Sequence, residues 1–420
     1  MKPSTPLRRR RYLSTLAGLG VLGAGCADAT NDETTPTETS GTTPTPNGSE
    51  YPEPDERVEE RPPGEPPLDP SGSWPALHFD AGNTSFNPDG SGLRHAEPYW
   101  RLAAGGPATV DNGSLYNVTG RDRDERALTF RNPATAEIRE EQPLVPYSVS
   151  APPELTDDRV FVSTFIEVFC FDHDGDQRWR GPEMDGVQAP PTAHDGVVFL
   201  NSGGFKEVPP QLRAFDADEG DELWRYETGH ESKGKPAVGA GHVFVASEAG
   251  LHAVDADTGE EAYVRSVGGS AWETPVARDG RVYTYGMRDS TDALFAVDAH
   301  SGEIQWHVET GNDDPPVVAE EFVYAITDDE LTAFAVEDGA PEVGFGEAAT
   351  PLARVGDVLY ASHRGTALAF DTTTGDRLWR LQTEEVTISD TVGRTVHAVT
   401  PVDGAVYVSA RDAFYGVGPS

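Results

Sequence analysis

The sequence predicts an all-β chain folded as an eight-bladed β-propeller of four-stranded antiparallel blades, with the ring closed by an N-terminal strand. Three observations carry that expectation. One segment recurs, most regularly as VFCFDHDGDQRW (168–179), LRAFDADEGDELW (212–224), LHAVDADTGEEAY (251–263), LFAVDAHSGEIQW (294–306) and LAFDTTTGDRLW (368–379). Short turns recur with it, at Asn112-Gly113, Asp157-Asp158, Asp195-Gly196, Ala240-Gly241, Asp279-Gly280, Glu320-Glu321, Gly356-Asp357 and Asp403-Gly404. The period is therefore ~40 residues, the span of a propeller blade. Finally, the last copy stops after three strands, while a strand-like segment with the repeat's Trp-Arg pair stands alone upstream at Trp100-Arg101.

The stretch 274–309 shows why each unit reads as four antiparallel strands. Thr274 to Ala277 forms the inner strand, Asp279-Gly280 the tight turn, and Arg281 to Tyr285 an alternating second strand, because Asp-Gly suits the primed hairpin turns. Leu294 to Val297 forms the third. Asp298 to Gly302 then turns the chain, Asp accepting backbone N–H bonds and Gly taking positive φ, before the outer strand Ile304-Gln305-Trp306. Alternating side chains give such a blade two apolar faces, which only stacking in a ring can bury. Outer strands carry Trp-Arg at Trp179, Trp224 and Trp379, and Trp306 stands in the same register before His307. These four tryptophans and Trp100 are expected to dock between blades. The strand around Trp100 should pair with Ala413 to Val417 and remove an open sheet edge.

The pattern Ala/Phe-x-Asp-x-x-Thr/Ser-Gly-x-x-x-Trp resembles the pyrroloquinoline-quinone-like (PQQ-like) propeller repeat with its tryptophan docking motif, from about Trp74 to the C-terminus. Trp74-Pro75, His78-Phe79-Asp80 and Asn83-Thr84 are similar to the opening segment of the family's BamB-like scaffold lipoproteins, and the acidity suits a haloarchaeal type. The resemblance implies a ring-shaped scaffold. It also raises quinoprotein dehydrogenase chemistry, but dehydrogenases that share the repeat set an adjacent Cys-Cys pair against the quinone, and this chain has none. Its two cysteines are Cys26 and Cys170. No cofactor is expected, PQQ included.

There are 32 Lys plus Arg against 71 Asp plus Glu, a formal net charge of −39. The acidity is spread over nearly every repeat and fits molar salt, where a Debye length of about 3 Å screens self-repulsion. Such a surface excludes nucleic acid as a partner.

Three segments are expected. Residues 1–26 read as an export signal: Arg8 to Arg11 before the apolar run Leu16 to Ala24 resembles a twin-arginine signal, too short to span a membrane. It ends in a lipobox-like Val21 to Cys26 with Gly23 where Leu is usual, so Cys26 is the expected lipid anchor to the outer face of the cytoplasmic membrane. Residues 27–73, rich in Thr, Pro and acidic side chains, read as a disordered, O-glycosylated tether. Residues 74–420 form the propeller, expected to be a monomer.

Cys170, between Phe169 and Phe171, reads as a buried small hydrophobe. Asp172-His173-Asp174-Gly175-Asp176 imitates the start of a Ca²⁺ loop, with Glu183 at the twelfth position, yet it lies in register with the other repeats' Asp-x-x-x-Gly hairpin turns and reads as one of them. There is no CxxCH, HExxH, GxSxG or Walker loop.

In an antiparallel blade the first-to-second and third-to-fourth turns share one face of the ring. The second-to-third loops and the links between blades share the other. The regular Asp-Gly turns occupy the first face. Insertions at 120–126, 203–211 and 286–292 and the links carrying Tyr147, Gln188, Lys233, Lys235, Trp272, Asp314, Glu347 and His397 fall on the second, the expected recognition face for an unidentified protein or small ligand. Two readings follow: a non-enzymatic membrane-tethered scaffold or binding module, and a quinoprotein-like enzyme. Quinone titration separates them.

Overall fold

The computed structural model describes residues 68–420 apart from 103–105, 112, 120–125, 145–151, 185, 188, 205–207, 269–273, 311–313, 328–329 and 389–390. Eight four-stranded units stand at residues 108–143, 154–180, 192–227, 237–265, 276–309, 317–344, 350–382, and 396–418 joined by 97–102. They are called blades 1 to 8 in that order. In blades 1 to 7 these strands follow sequence order from inside to outside, and in blade 8 the outer strand is 97–102. Neighbouring inner strands meet round the ring, with 108–111 against both 154–155 and 396–402.

The turns obey the chemistry read from the sequence. At Asp195-Gly196, Ala240-Gly241 and Asp279-Gly280 both residues have positive φ, 47° and 78°, 52° and 77°, and 48° and 77°. That is the type I′ geometry whose twist matches the strands it joins. Closure is as expected: Glu97–Leu102 pairs antiparallel with Phe414–Gly418, Trp100 opposite Gly416. The two chain ends thus share one sheet.

One loop expectation is corrected. Residues 286–292 are not an insertion between strands, because Arg281–Arg288 and Thr291–Asp298 stay paired as far as Arg288 opposite Thr291. Asp289 and Ser290, at φ 50° and 71°, supply a second primed turn, so the ladder continues beyond the core and Met287 projects 54% exposed.

Docking follows one pattern in blades 2, 3 and 5. The indole Nε1 of Trp179 donates to the Ala217 carbonyl at 2.9 Å, Trp224 to Ala256 at 3.0 Å and Trp306 to Val336 at 2.9 Å, each in the third-to-fourth turn of the next blade. The ring lies on that turn's glycine. A Cβ on Gly220 would stand 2.6 Å from Trp179 Cδ2. Trp224 follows the pattern but is only partly buried, its blade showing alternate exposed residues on the outer strand. The remaining two tryptophans depart from it. Trp379 donates instead to Leu93 of the N-terminal segment at 2.7 Å. Trp100 lies on Gly416 and the rings of Tyr407 and Phe414, in one core cluster with Ala136 of blade 1, but its Nε1 has no hydrogen-bond partner.

Packing reaches back to Leu68, upstream of the boundary expected at Trp74. Leu68 is buried, and Ser71 N–H donates to the Asp403 carbonyl at 2.9 Å. From there the chain runs round the inside of the ring. Trp74 exchanges backbone bonds with Val110 of blade 1, and Pro75 O accepts from Leu155 of blade 2. Ala81 O accepts from Val238 of blade 4 at 2.7 Å, Gly82 O from Ala277 of blade 5 at 2.7 Å, Thr84 O from Val318 of blade 6 at 2.9 Å and Ser85 O from Arg354 of blade 7 at 2.8 Å. Phe86–Asn87 then pairs parallel with the inner strand of blade 7. This strap satisfies edge groups that an inner strand would otherwise leave facing the channel. Its bonds fall next to the first-to-second turns, so it lies at the regular-turn end of the channel.

Candidate functional site

The strap brings a polar cluster into the channel that sequence reading did not assemble. The inner strands of blades 4 and 5 follow Pro236 and Pro275, and the Pro236 carbonyl already accepts from Thr192 Oγ1 of blade 3 at 2.6 Å. Asn83 adds to these bonds. Its Nδ2 donates to the carbonyls of Pro236 at 2.9 Å, Pro275 at 3.2 Å and Lys235 at 3.3 Å, and its Oδ1 accepts from Lys235 Nζ at 2.9 Å. Lys235 also pairs with Glu154 at 3.3 Å, both side chains almost fully buried. Burial, opposed by the Lys235 charge, pushes the Glu154 carboxyl up to about 7. Enclosure, with Lys235 nearby, pushes His78 down to about 3, and its Nδ1 lies 2.9 Å from Ser85 Oγ. Burial likewise raises Asp80, against hydrogen bonds from Thr84 at 2.9 and 2.6 Å. The cation bonds the amide and pairs with the carboxylate, and the amide bonds the backbone; Glu154 Oε2 has the Lys235 charge beside it but no hydrogen bond.

The residues expected at the recognition face fare differently. Lys235 lies inside the channel rather than on the rim, its ammonium engaged by Asn83 and Glu154, because the side chain before Pro236 turns inward under the strap. Asp314 is exposed and accepts from Thr350 Oγ1 at 3.1 Å. Glu347 is half-buried and ion-paired with Arg377. His397 is exposed near a bulge in the inner strand of blade 8, held below the usual histidine range by desolvation and by Arg411. Lys233 pairs with Glu231 at 2.5 Å. Tyr147, Gln188 and Trp272 lie outside the described residues, as do Cys26 and residues 27–67 of the expected tether.

Two other groups have structural partners. Cys170 has no exposed surface and burial pushes its thiol up to about 12, which leaves it protonated and unreactive. Asp172 accepts the N–H groups of Asp174 at 3.1 Å and Asp176 at 2.8 Å and pairs with Arg178, so the hairpin uses the carboxylate fully.

A third network has the polarity of a nucleophile relay. Tyr226 O–H donates to Glu261 at 2.5 Å, which leaves Tyr226 to accept from His252 Nδ1 at 3.0 Å and His252 Nε2 to accept from Ser247 Oγ at 2.8 Å. Ser247, however, has no exposed surface, and its hydroxyl accepts the Ala249 N–H at 3.1 Å. It fixes a hairpin tip.

On the variable-loop face a cavity of about 540 Å³ opens between blades 2 and 3. Glu183 and Met184 of the inter-blade link, Ser202, Val208, Pro209 and Gln211 around the blade 3 loop, and Arg213 and Arg225 line it. The 203–211 insertion flagged its position; the paired arginines, opposite each other on adjacent strands, carried no local motif.

Comparisons with known proteins agree with this architecture. Among curated proteins, the chain is 29% identical over 216 residues to the serine/threonine-protein kinase AfsK of Streptomyces griseus, covering 49% of this chain and 22% of that one. It is 27% identical over 214 residues to the outer membrane protein assembly factor BamB of Yersinia pestis, covering 47% of each. The chain thus spans half or less of the length of the curated relatives it matches. Among solved structures, BamB from Moraxella catarrhalis superposes with a TM-score of 0.57 at 15% identity, covering 77% of this chain and 98% of that one. The quinohemoprotein alcohol dehydrogenase of Comamonas testosteroni superposes at 0.59 and 12% identity, covering 83% and 81%. Likeness at these identities shows the fold, which both structures share. The family model described as outer membrane protein assembly factor BamB matches residues 97–340 and 209–413, so the chain belongs to that family of PQQ-like-repeat β-propellers.

Proposed function

We propose that the protein is a non-enzymatic scaffold or binding module, exported by the twin-arginine route, held by a lipid on Cys26 at the outer face of the cytoplasmic membrane, and adapted to high salt. The observation that carries this reading is the strap. It lines the inner wall with a hydrogen-bonded polar cluster and ties seven blades to one segment, which gives a stiff ring whose irregular loops gather on one face. Rigid scaffold with varied loops is the arrangement that recognition uses. The family's printed role in outer-membrane assembly belongs to its namesakes. For this chain the partner is defined by the face, a protein or small ligand meeting Trp272, Asp314 and the neighbouring loops.

The quinohemoprotein neighbour keeps a second reading alive, a quinone enzyme. Titrating the purified full chain with pyrroloquinoline quinone and Ca²⁺ in molar salt decides between them. Unchanged tryptophan fluorescence, together with a native-membrane partner that co-purifies with the parent protein and is lost with Trp272→Ala, supports the scaffold. Saturable quenching abolished by Trp272→Ala, with dye-linked turnover, overturns it.

A further inference from the structure

We infer that the cavity between blades 2 and 3 is a binding site for a small organic carboxylate with an apolar body. The inference rests on the reading of the variable-loop face as the recognition face and names its ligand class.

In a chain carrying 71 acidic against 32 basic side chains, two guanidiniums in one small cavity are a local reversal of the prevailing charge. Arg213 and Arg225 stand opposite each other on adjacent antiparallel strands of blade 3. Like charges placed directly across a ladder are unfavourable unless something neutralises them. Glu222 does so in part, one carboxylate oxygen pairing with Arg213 and the other with Arg225 Nε at 2.5 Å. One carboxylate between two guanidiniums leaves a unit of positive charge on the inner wall. Among the described residues the remaining charged lining residue is Glu183, exposed on the link at the rim.

Arg213 is the more telling of the pair. It is 8% exposed, its Cζ lies 5.2 Å from the Phe215 ring centroid, and its Nε is buried with no hydrogen-bond partner. Ring and carboxylate together hold the guanidinium in one orientation, with Nη2 on Glu222 and the side chain forming part of the cavity wall. A fixed fork of parallel N–H groups matches a carboxylate's two oxygens, and a partly desolvated guanidinium binds an anion more strongly than an exposed one. Burial and the neighbouring Arg225 hold the Arg213 pKa down to about 10, so the group stays charged at neutral pH and an incoming anion would relieve the strain.

The other walls set the rest of the ligand. Met184, Val208 and Pro209 give an apolar side, and Val208 is 38% exposed, which is unusual for a valine beside a buried cation. Ser202 and Gln211 add neutral polar groups. The volume lies within the range of small-molecule sites, roughly 300–1,000 Å³. A free inorganic anion would leave most of it empty.

The test uses 3-(4-fluorophenyl)propionate as probe, with its neutral primary amide and inorganic phosphate as controls, followed by fluorine NMR for the aromatic pair and by competition for phosphate. The full chain should bind the carboxylate saturably and at least tenfold more tightly than the amide, with phosphate competing weakly. Arg225→Gln, at an exposed side chain, should weaken the carboxylate about tenfold and leave the amide unchanged. Val208→Trp, which fills the mouth from an exposed position, should abolish both. Arg213→Lys keeps charge but loses the fork and should fall between. Absence of saturable binding, equal affinity for amide and carboxylate, or undiminished binding by Arg225→Gln overturns the assignment. Phosphate binding as tightly as the carboxylate overturns the apolar part. These outcomes are independent of partner capture and quinone titration, so the site and the scaffold reading fail separately.

Discussion

Replacing Gly220 by Ala asks how much of the ring's stability resides in one indole lying on one glycine. Two costs arise. The first is backbone: Gly220 has φ +76°, and an L-residue there costs about 1–2 kcal/mol. The second is steric: the new Cβ would lie 2.6 Å from Trp179 Cδ2 and 2.8 Å from Cε3, on a side chain too rigid to yield. Lifting the indole opens the blade 2–blade 3 seam and stretches its 2.9 Å bond to Ala217, an overpacking cost of about 1–3 kcal/mol. The matched control is Gly241→Ala. Gly241 has φ +77°, but a Cβ added there would meet nothing within 4 Å, so only the backbone cost applies. Urea midpoints at constant slope should therefore show Gly220→Ala destabilised by about 1–3 kcal/mol more than Gly241→Ala. In a Trp179→Ala background the clash disappears, and Gly220→Ala should cost no more than its control. Equal losses for the two glycines in the parent protein, or an excess that persists without the indole, would refute the docking account.

The channel cluster gives predictions of opposite sign. Glu154 is raised from 4.5 to about 7, so its contribution is fully present below pH 4.5 and is lost as pH rises through 7; His78 is lowered from 6.5 to about 3, so its contribution is present above pH 6.5 and is lost as pH falls through 3. Between pH 4.5 and 6.5 the two oppose each other, so Glu154→Gln should make stability rise more steeply with pH, and His78→Asn should flatten or invert the slope in denaturant midpoints measured across that window. Lys235→Met strands a buried carboxylate and should cost about 3–5 kcal/mol at pH 8, less at pH 5 where Glu154 takes up a proton, and much of the loss should return in the double variant with Glu154→Leu; equal costs at both pH values would count against the pairing. Cys26→Ser should move the protein from membranes to the medium, read by fractionation, since stable anchoring needs a two-chain lipid. Retention in the membrane fraction would show that another anchor operates.

How far the sequence could be read depended on whether a feature repeats. The blade, its turns and the closing strand were legible because the Asp-x-x-x-Gly turn and the Trp recur in register, and each copy corroborates the next. Residues 286–292 were misread because Met287 and Arg288 broke the apolar alternation, although the Asp289-Ser290 turn keeps the ladder paired. The strap occurs once. Asn83 satisfies carbonyls more than 150 residues away in the chain, so nothing local announces its role; the available hint was a polar triplet, His78, Asp80 and Asn83, placed where an ordinary lead-in would be apolar or disordered. Lys235 looked like a rim residue for the same reason. Its partners, Glu154 and Asn83, come from another blade and from the strap, and a link-borne lysine shows no sign of them. Arg213 and Arg225 are legible only once strand register is known.

The strap also fixes an order of events. Its residues are the first of the described chain to be made, yet Ser71 waits for Asp403, and Trp100 waits for Gly416, more than 300 residues later in the chain. Until then the strap has only part of its partners, and contacts this distant in sequence form slowly. A nascent ring would therefore remain a row of blades with an open seam and an unseated leader, and the seam would shut in one late step. A chain built this way gains its final rigidity as a whole rather than blade by blade.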